Sequence, residues 1–396
     1  MGRRFAISTA ILHIGAGKTG SSAIQHALSF NTNKLEEAGF VYPRISSVNK
    51  KYGFINHNNL AHALFDNRPT ADLVAVASHL DSLATTGKTM ILSAEVFYKG
   101  PHESKYSNYI DYIKEKRDAI LQTHNLLKSF DEIKVVCYVR RQDLWFESIY
   151  NERVKQYKHG GMSFKEFLNG IQERHFAKQL DLWAEIFGQQ NIIVRPYEKG
   201  QLCNGNVVDD FAKILGHLPI GVLSSAPKNQ STVNPRLSRD TLEFNQIIYQ
   251  LDLDPIERKF WQQALWRVSD EMLLNHREPA SWQRLIEFNE RKRLLDKYTD
   301  TNRYVAKKYL GRFEDTLFYE KLDVDGEIYP GLSNIRAIEI MLRLQQHLND
   351  STIRRELTIQ KARKWIHQNI PVIRPLLSPF GKFYQRFSER RRNGYE

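Results

Sequence analysis

Residues 10–22, AILHIGAGKTGSS, pass from a short apolar run straight into glycines and then into a pair of serines. An apolar run of that length ahead of turn-forming glycines reads as a buried strand, and serines opening a helical apolar pattern read as a helix start. Strand, tight loop and helix in that order commit the chain to a βα unit, whose next strand must return alongside the first through a crossover.

Three further apolar, β-branched runs answer that demand: MILSAE (90–95), KVVCYVR (134–140) and NIIVRPYE (191–198). Helix-like patterns lie between and after them, in SSAIQHALSFNTNKLEEAG, LWFESIYNERVKQY and SFKEFLNGI. The expected fold class is therefore α/β, a P-loop-like, mainly parallel sheet flanked by helices. Beyond residue 235, RDTLEFNQIIYQL, TNRYVAKKYL and IRAIEIMLRLQQHL carry apolar stripes and predict a helical C-terminal region. The expected layout is an α/β core over 1–235, a helical part of the same domain on the acceptor side over 236–350, and a basic extension over 351–396.

Charge narrows the class of partner. The net charge is +12, but residues 361–396 alone hold nine Lys/Arg against two Glu, a local +7. The remaining body is only mildly basic, which argues against a nucleic-acid-binding domain and for a local basic surface. Its aromatic and aliphatic residues suggest a weak contact of the tail with an anionic membrane surface, although Pro371 and Pro375 interrupt any long amphipathic helix. No stretch of eighteen apolar residues predicts a membrane span. The opening MGRRFAISTAILHIGAG imitates a signal peptide, yet its apolar run contains His13 and leads into the glycine loop, so it is expected to stay as a strand. Ala6 occupies the position where myristoylation requires Ser or Thr. Two cysteines, Cys137 and Cys203, are too few for a disulfide framework and suggest a reducing, cytoplasmic setting.

The loop itself departs from the triphosphate pattern G-x-x-x-x-G-K-[ST]. Counting from Gly15, the second glycine falls correctly at Gly20, but Ser21 stands where the lysine belongs, and Lys18 sits in the middle of the loop. A mid-loop lysine suits a donor with one phosphate and one transferable group. No apolar strand ends in the aspartate of a magnesium site, so no metal is expected.

HIGAGKTGSSAIQ resembles the 5′-phosphosulfate loop of sulfotransferases, whose donor is 3′-phosphoadenosine 5′-phosphosulfate (PAPS). YVRRQDLWFES resembles the family's second motif, with Arg140 and Ser148 at its eight-residue spacing. SAEVF, SIYNERVK, LWAEIFG, NIIVRPYE and DDFAKILG extend the likeness, in the style of bacterial members, over about residues 10–216. The resemblance implies a sulfotransferase moving a sulfuryl group from PAPS to an acceptor hydroxyl. It implies that Gly15, Gly17, Lys18, Thr19, Gly20, Ser21 and Ser22 bind the 5′-phosphate end, with Lys18 on the bridging oxygen, and that Arg140 and Ser148 bind the 3′-phosphate. A guanidinium backed by a hydroxyl is apt for a phosphate, and Arg141 is the rival of Arg140 by one residue.

For the base, Glu95 ends a strand and is expected to face the crevice, while His57 and His62 compete from the polar excursion PRISSVNKKYGFINHNNLAHAL. That excursion also suggests a carbohydrate acceptor on a glycan, glycolipid or polysaccharide. KNQSTVNPRLSR (228–239) is a further basic loop, and DVDG (323–326) lacks the rest of a calcium loop and predicts a turn. Two other classes remain open: a small-molecule kinase or NTPase with an irregular loop, and a non-catalytic nucleotide- or nucleic-acid-binding protein.

Overall fold

The computed structural model describes residues 7–45, 55–66, 71–101, 108–155, 161–170, 175–216, 218, 222–223, 237–251, 253–274, 283–324 and 326–348. In chain order these form β1 (Thr9–His13), α1 (Ser21–Phe30), α2 (Thr32–Glu37), β2 (Phe40–Val41), α3 (Asn58–Phe65), α4 (Leu73–Ala84), β3 (Thr89–Ser93), α5 (Glu95–Lys99) and α6 (Tyr109–Leu126). There follow β4 (Glu132–Val139), α7 (Gln142–Lys155), α8 (Phe164–Gly170), α9 (Phe176–Phe187), β5 (Ile192–Pro196) and α10 (Val207–Ile214). The last described helices are α11 (Arg239–Gln250), α12 (Pro255–Leu274), α13 (Phe288–Asp296), α14 (Thr299–Leu310) and α15 (Asn334–Leu348).

The strands form one sheet in the order β2-β3-β1-β4-β5, and every pairing is parallel. This is the α/β class expected, because runs such as AILH and MILS are apolar at consecutive positions and need cover on both faces. On one face Ile24 and Leu28 of α1 and Phe211 of α10 pack with Ile11, Val136 and Tyr138. Elsewhere in the unit Phe65, Phe97 and Trp183, from α3, α5 and α9, meet as an aromatic cluster. Each such fully buried side chain contributes about 1.5–3 kcal/mol.

The order also fixes where ligands go. The chain leaves β1 toward the β3 side and β4 toward the β5 side, so the carboxyl ends of β1 and β4 flank the point where the winding reverses. Ligands of open α/β sheets settle in that crevice.

Local details differ from the sequence reading. The expected long helix after the loop breaks at Asn31, whose side-chain amide donates to the Ala27 carbonyl at 2.8 Å and closes α1 before α2 begins. The two-residue β2 was too short to signal itself, and α6 fills the stretch between β3 and β4.

The chain divides into two compact units. The first comprises Met1–Tyr150, Phe164–Pro235 and Ile286–Gly326, and the second Asn151–Ser163, Arg236–Leu285 and Glu327–Glu396. Residues 286–326, with α13 and α14, group with the sheet in the first unit. In the second unit Ile248, Ala264, Leu265, Val268, Met272, Ile340 and Leu344 of α11, α12 and α15 form the core. Among the described residues no helix is long and apolar enough to cross a membrane. The basic extension 351–396, residues 1–6, most of KNQSTVNPRLSR, the middle of the polar excursion and Asp325 of DVDG lie outside the described residues.

Candidate functional site

The loop between β1 and α1 is a run of left-handed backbone: Gly15, Gly17, Lys18 and Gly20 have φ of 42°, 68°, 59° and 81°. Two of these glycines are demanded by contact. A β-carbon on Gly15 would lie 2.5 Å from Ser21 Oγ, and one on Gly20 would lie 2.8 Å from Val207 Cγ1 and 2.9 Å from Tyr197 Cε2. Lys18 has a side chain and still adopts positive φ, a conformation that costs roughly 1–2 kcal/mol and needs outside support.

That support comes from the junction after β4. Arg140, the residue following the strand, donates from Nη1 to the Lys18 carbonyl at 3.1 Å, and Trp145 of α7 donates from Nε1 to the Gly17 carbonyl at 3.0 Å. Arg140 also rests its guanidinium 5.5 Å from the centre of the Tyr197 ring, just past β5. Thus the two motifs, 122 residues apart, meet at neighbouring strand ends.

Within the loop, hydrogen-bonding groups are left over. Among the described residues Thr19 Oγ1 and Ser21 Oγ are buried and have no partner, and α1 follows Gly20 without a side-chain cap. A buried polar group left unmatched costs about 1–3 kcal/mol, so two in consecutive turns of one loop call for an explanation. An anion at the helix N-terminus supplies one, since hydroxyls, backbone N–H groups and the positive helix end all favour it. Gly15 is buried, and Gly17, Lys18, Gly20 and Ser22 are half-buried around the same turn.

Arg141 faces other duties. It pairs with Asp143 through Nε at 2.8 Å and donates to the Glu320 carbonyl at 2.6 Å, while Asp143 also receives Arg291 Nη2 at 2.6 Å. Burial would raise the pKa of Asp143, yet the hydrogen bonds from Arg141 and Arg291 hold it below the usual carboxylate range. Of the two adjacent arginines, Arg140 is the one turned to the loop. Ser148 is buried in α7, and among the described residues it hydrogen-bonds to none of the loop.

Glu95 opens α5 directly beyond β3, half-buried, with Oε2 3.9 Å from where a β-carbon on Gly17 would stand. It belongs to the same crevice. His57 is engaged differently: Nδ1 accepts from the Ser93 N–H at 3.0 Å, and Nε2 lies 2.9 Å from the Pro43 carbonyl. Burial pushes its pKa down to about 4. Both ring nitrogens are thus committed to backbone, in a neutral imidazole that ties α3 to β3. His62 pairs with Asp66 at 2.8 Å within α3 and its turn.

Sequence reasoning missed Trp145, Tyr197 and His13. Tyr197 follows a strand end, as Arg140 and Glu95 nearly do, so the strand-end rule that found those could have found it. Trp145 packs among buried aromatics, beside Phe146 and Phe176, and its indole N–H is the part that reaches the loop.

No family model matches the chain. A curated protein of Archaeoglobus fulgidus, described only as uncharacterized, is 32% identical over 182 residues, which make up 45% of this chain and 46% of that protein. The match thus spans about half the length of each. A crystal structure of a sulfotransferase from Alicyclobacillus acidocaldarius aligns with 69% of this chain and 97% of its own, at a TM-score of 0.32 and 14% identity.

Proposed function

We propose that this chain is a PAPS-dependent sulfotransferase acting on a hydroxyl acceptor of carbohydrate type. The observation that carries the reading is the meeting of Arg140 with the Lys18 carbonyl, in a loop whose buried Thr19 and Ser21 hydroxyls lack partners among the described residues. In support of the reading, the loop after β1 and Arg140 after β4 stand at adjacent strand ends, and the only loop lysine is placed mid-turn.

In this reading Thr19, Ser21, Ser22 and the N–H groups of Gly15, Gly17 and Gly20 hold the 5′-phosphate. Arg140, backed by Ser148, takes the 3′-phosphate, with Tyr197 as a surface beneath the guanidinium. The acceptor oxygen attacks sulfur as the bond from sulfur to the bridging oxygen breaks; the electron pair goes to that oxygen, where Lys18 offsets the charge, and Glu95 takes the acceptor proton. The products are a sulfate ester and adenosine 3′,5′-bisphosphate. Glu95 is preferred to His57 because its carboxylate borders the loop, whereas the histidine's nitrogens are spent on Ser93 and Pro43. No step requires a metal.

Ligand-dependent melting tests the assignment. A ligand at a hundred times its Kd stabilises a native protein by about 2.7 kcal/mol. Adenosine 3′,5′-bisphosphate should raise the melting temperature without magnesium, and more than ATP does; labelled PAPS should then transfer sulfate to an oligosaccharide panel. Preference for ATP with magnesium would favour a kinase or NTPase instead, and sequence-blind, salt-sensitive binding of nucleic acid would favour a non-catalytic role.

A further inference from the structure

His13 ends β1, one residue before the loop, and is completely buried. Its register partner in β3 is Ser93, and His13 Nδ1 lies 2.8 Å from Ser93 Oγ. Ser93 Oγ also receives Gln25 Nε2 at 3.1 Å. Among the described residues these are its two side-chain partners, so the hydroxyl proton of Ser93 has Nδ1 as its acceptor. With the Ser93 proton assigned to Nδ1, the imidazole carries its own proton on Nε2.

Nε2 has no partner. A β-carbon on Gly15 would lie 3.5 Å from His13 Nε2 and 2.5 Å from Ser21 Oγ, so the two unmatched atoms border one small space that only a glycine leaves open. The walls are apolar: the Tyr138 ring stands edge-on at 6.0 Å and Phe211 at 5.3 Å. Burial there pushes the pKa of His13 down to about 3, so the ring stays neutral at working pH. An apolar residue would fill the same volume without burying two nitrogens, and a neutral donor kept at that cost under a phosphate-binding turn needs a use.

We infer that His13 is a positioning residue for the ligand's phosphate: on loading, its Nε2–H donates to Ser21 Oγ, so that Ser21 spends its own proton on the phosphate. The bonds then run in one direction, from Gln25 to Ser93, to His13, to Ser21, to the anion. The inference rests on the reading that the loop at 15–22 holds a phosphate, and it adds the buried group that sets the polarity of one of its hydroxyls. A charged histidine is not required. Polarity is fixed by the tautomer, and the tautomer by Ser93.

The test is calorimetric titration of the full chain with adenosine 3′,5′-bisphosphate, ATP and inorganic pyrophosphate. His13→Asn keeps a group near Nδ1 and loses the one at Nε2, whereas His13→Gln can place an amide N–H near Nε2. Affinity should fall about tenfold in the asparagine variant, as for one hydrogen bond to a charged acceptor chain, and return to within about threefold of wild type in the glutamine variant. In a Ser21→Ala background the asparagine change should cost nothing more. Equal losses in both variants, or an asparagine loss that persists without the Ser21 hydroxyl, overturns the inference. If His13 variants do not fold, Ser93→Ala releases the tautomer and should lower affinity in a Ser21-dependent way; unchanged affinity overturns it too. Should ATP bind better than the bisphosphate, the sulfotransferase reading fails while the same cycle run on ATP still decides the role of His13. Wild type that binds none of the three probes ends both.

Discussion

Two strand-to-helix junctions lie side by side in the first unit, and they handle buried polarity in opposite ways. After β4, the polar groups that open α7 are matched: Arg141 and Arg291 bracket Asp143, and Gln142 and Asn302 exchange two amide hydrogen bonds. After β1, by contrast, Thr19 Oγ1, Ser21 Oγ and His13 Nε2 are buried with no partner among the described residues. The saturated junction is a frame, stable without help. The unsaturated one is stable only as far as the frame holds it, through Arg140 and Trp145, and it gains when an anion supplies the missing bonds. Stability and binding are therefore written into different residues a few ångströms apart.

The largest effect should come from breaking the frame. Asp143→Ala leaves Arg141 and Arg291 buried without their shared carboxylate, which costs about 3–5 kcal/mol where a buried ion pair loses one member. Urea denaturation should show that loss in the ligand-free protein. A loss below about 1 kcal/mol would mean that the bracket is decorative and the contrast between junctions is false.

Next in size is the loop's own cation. Lys18→Ala should slow sulfate transfer about a hundredfold to a thousandfold, the usual cost of removing an electrostatic donor from a transition state, with a much smaller change in binding of the bisphosphate. Arg140→Ala should do the reverse, weakening the bisphosphate about tenfold or more while the rate at saturation changes less. Steady-state kinetics beside calorimetry separates the two, and identical kcat and KM losses in both variants would dissolve the division of labour.

What the sequence disclosed follows the same divide. The loop, Arg140 and Glu95 were readable because each stands at or next to the end of an apolar run, and parallel strands buried on both faces announce themselves by composition. The frame was not readable. Asp143 and Arg291 are 148 positions apart, and nothing in either segment signals the other. The eight-residue spacing to Ser148 favours Arg140 over its neighbour Arg141, but the ion pair that holds Arg141 to Asp143 is not written in that spacing. His57 looked like a base because the polar excursion is rich in Asn and His, and its service to Ser93 and Pro43 depends on a tertiary turn that no local pattern encodes. The short β2 and the break at Asn31 were lost for lack of length.

Acid should act on the two fully buried histidines of the first unit. His13 and His57 are neutral in the fold, with pKa values lowered by burial to about 3 and about 4, against 6.5 when unfolded. A lowered histidine pKa means that the unfolded chain binds the proton first, so the stabilisation is whole above pH 6.5 and drains away as pH falls toward those values. Each histidine contributes a slope of about 1.4 kcal/mol per pH unit in that window. The urea midpoint should thus drop steadily between pH 6.5 and pH 5, before the carboxylates titrate; a flat midpoint there would show that the two rings gain protons freely in the folded state.

The smallest effect is the sharpest, because its sign differs between the two properties. Thr19→Val keeps the side-chain shape and removes a hydroxyl that is buried and unmatched in the ligand-free loop. Losing an unsatisfied group is nearly neutral or stabilising, so the ligand-free protein should gain up to about 1 kcal/mol. The same change removes a donor to the phosphate and should weaken binding of the bisphosphate by about three- to tenfold. Melting curves with and without ligand on one sample read both quantities. If the variant is destabilised when empty, Thr19 was serving the frame after all; if it is stabilised and binds as well as wild type, the hydroxyl was never waiting for an anion. Only gain in the empty state together with loss in the loaded one fits a loop whose buried polarity is held in reserve for its ligand.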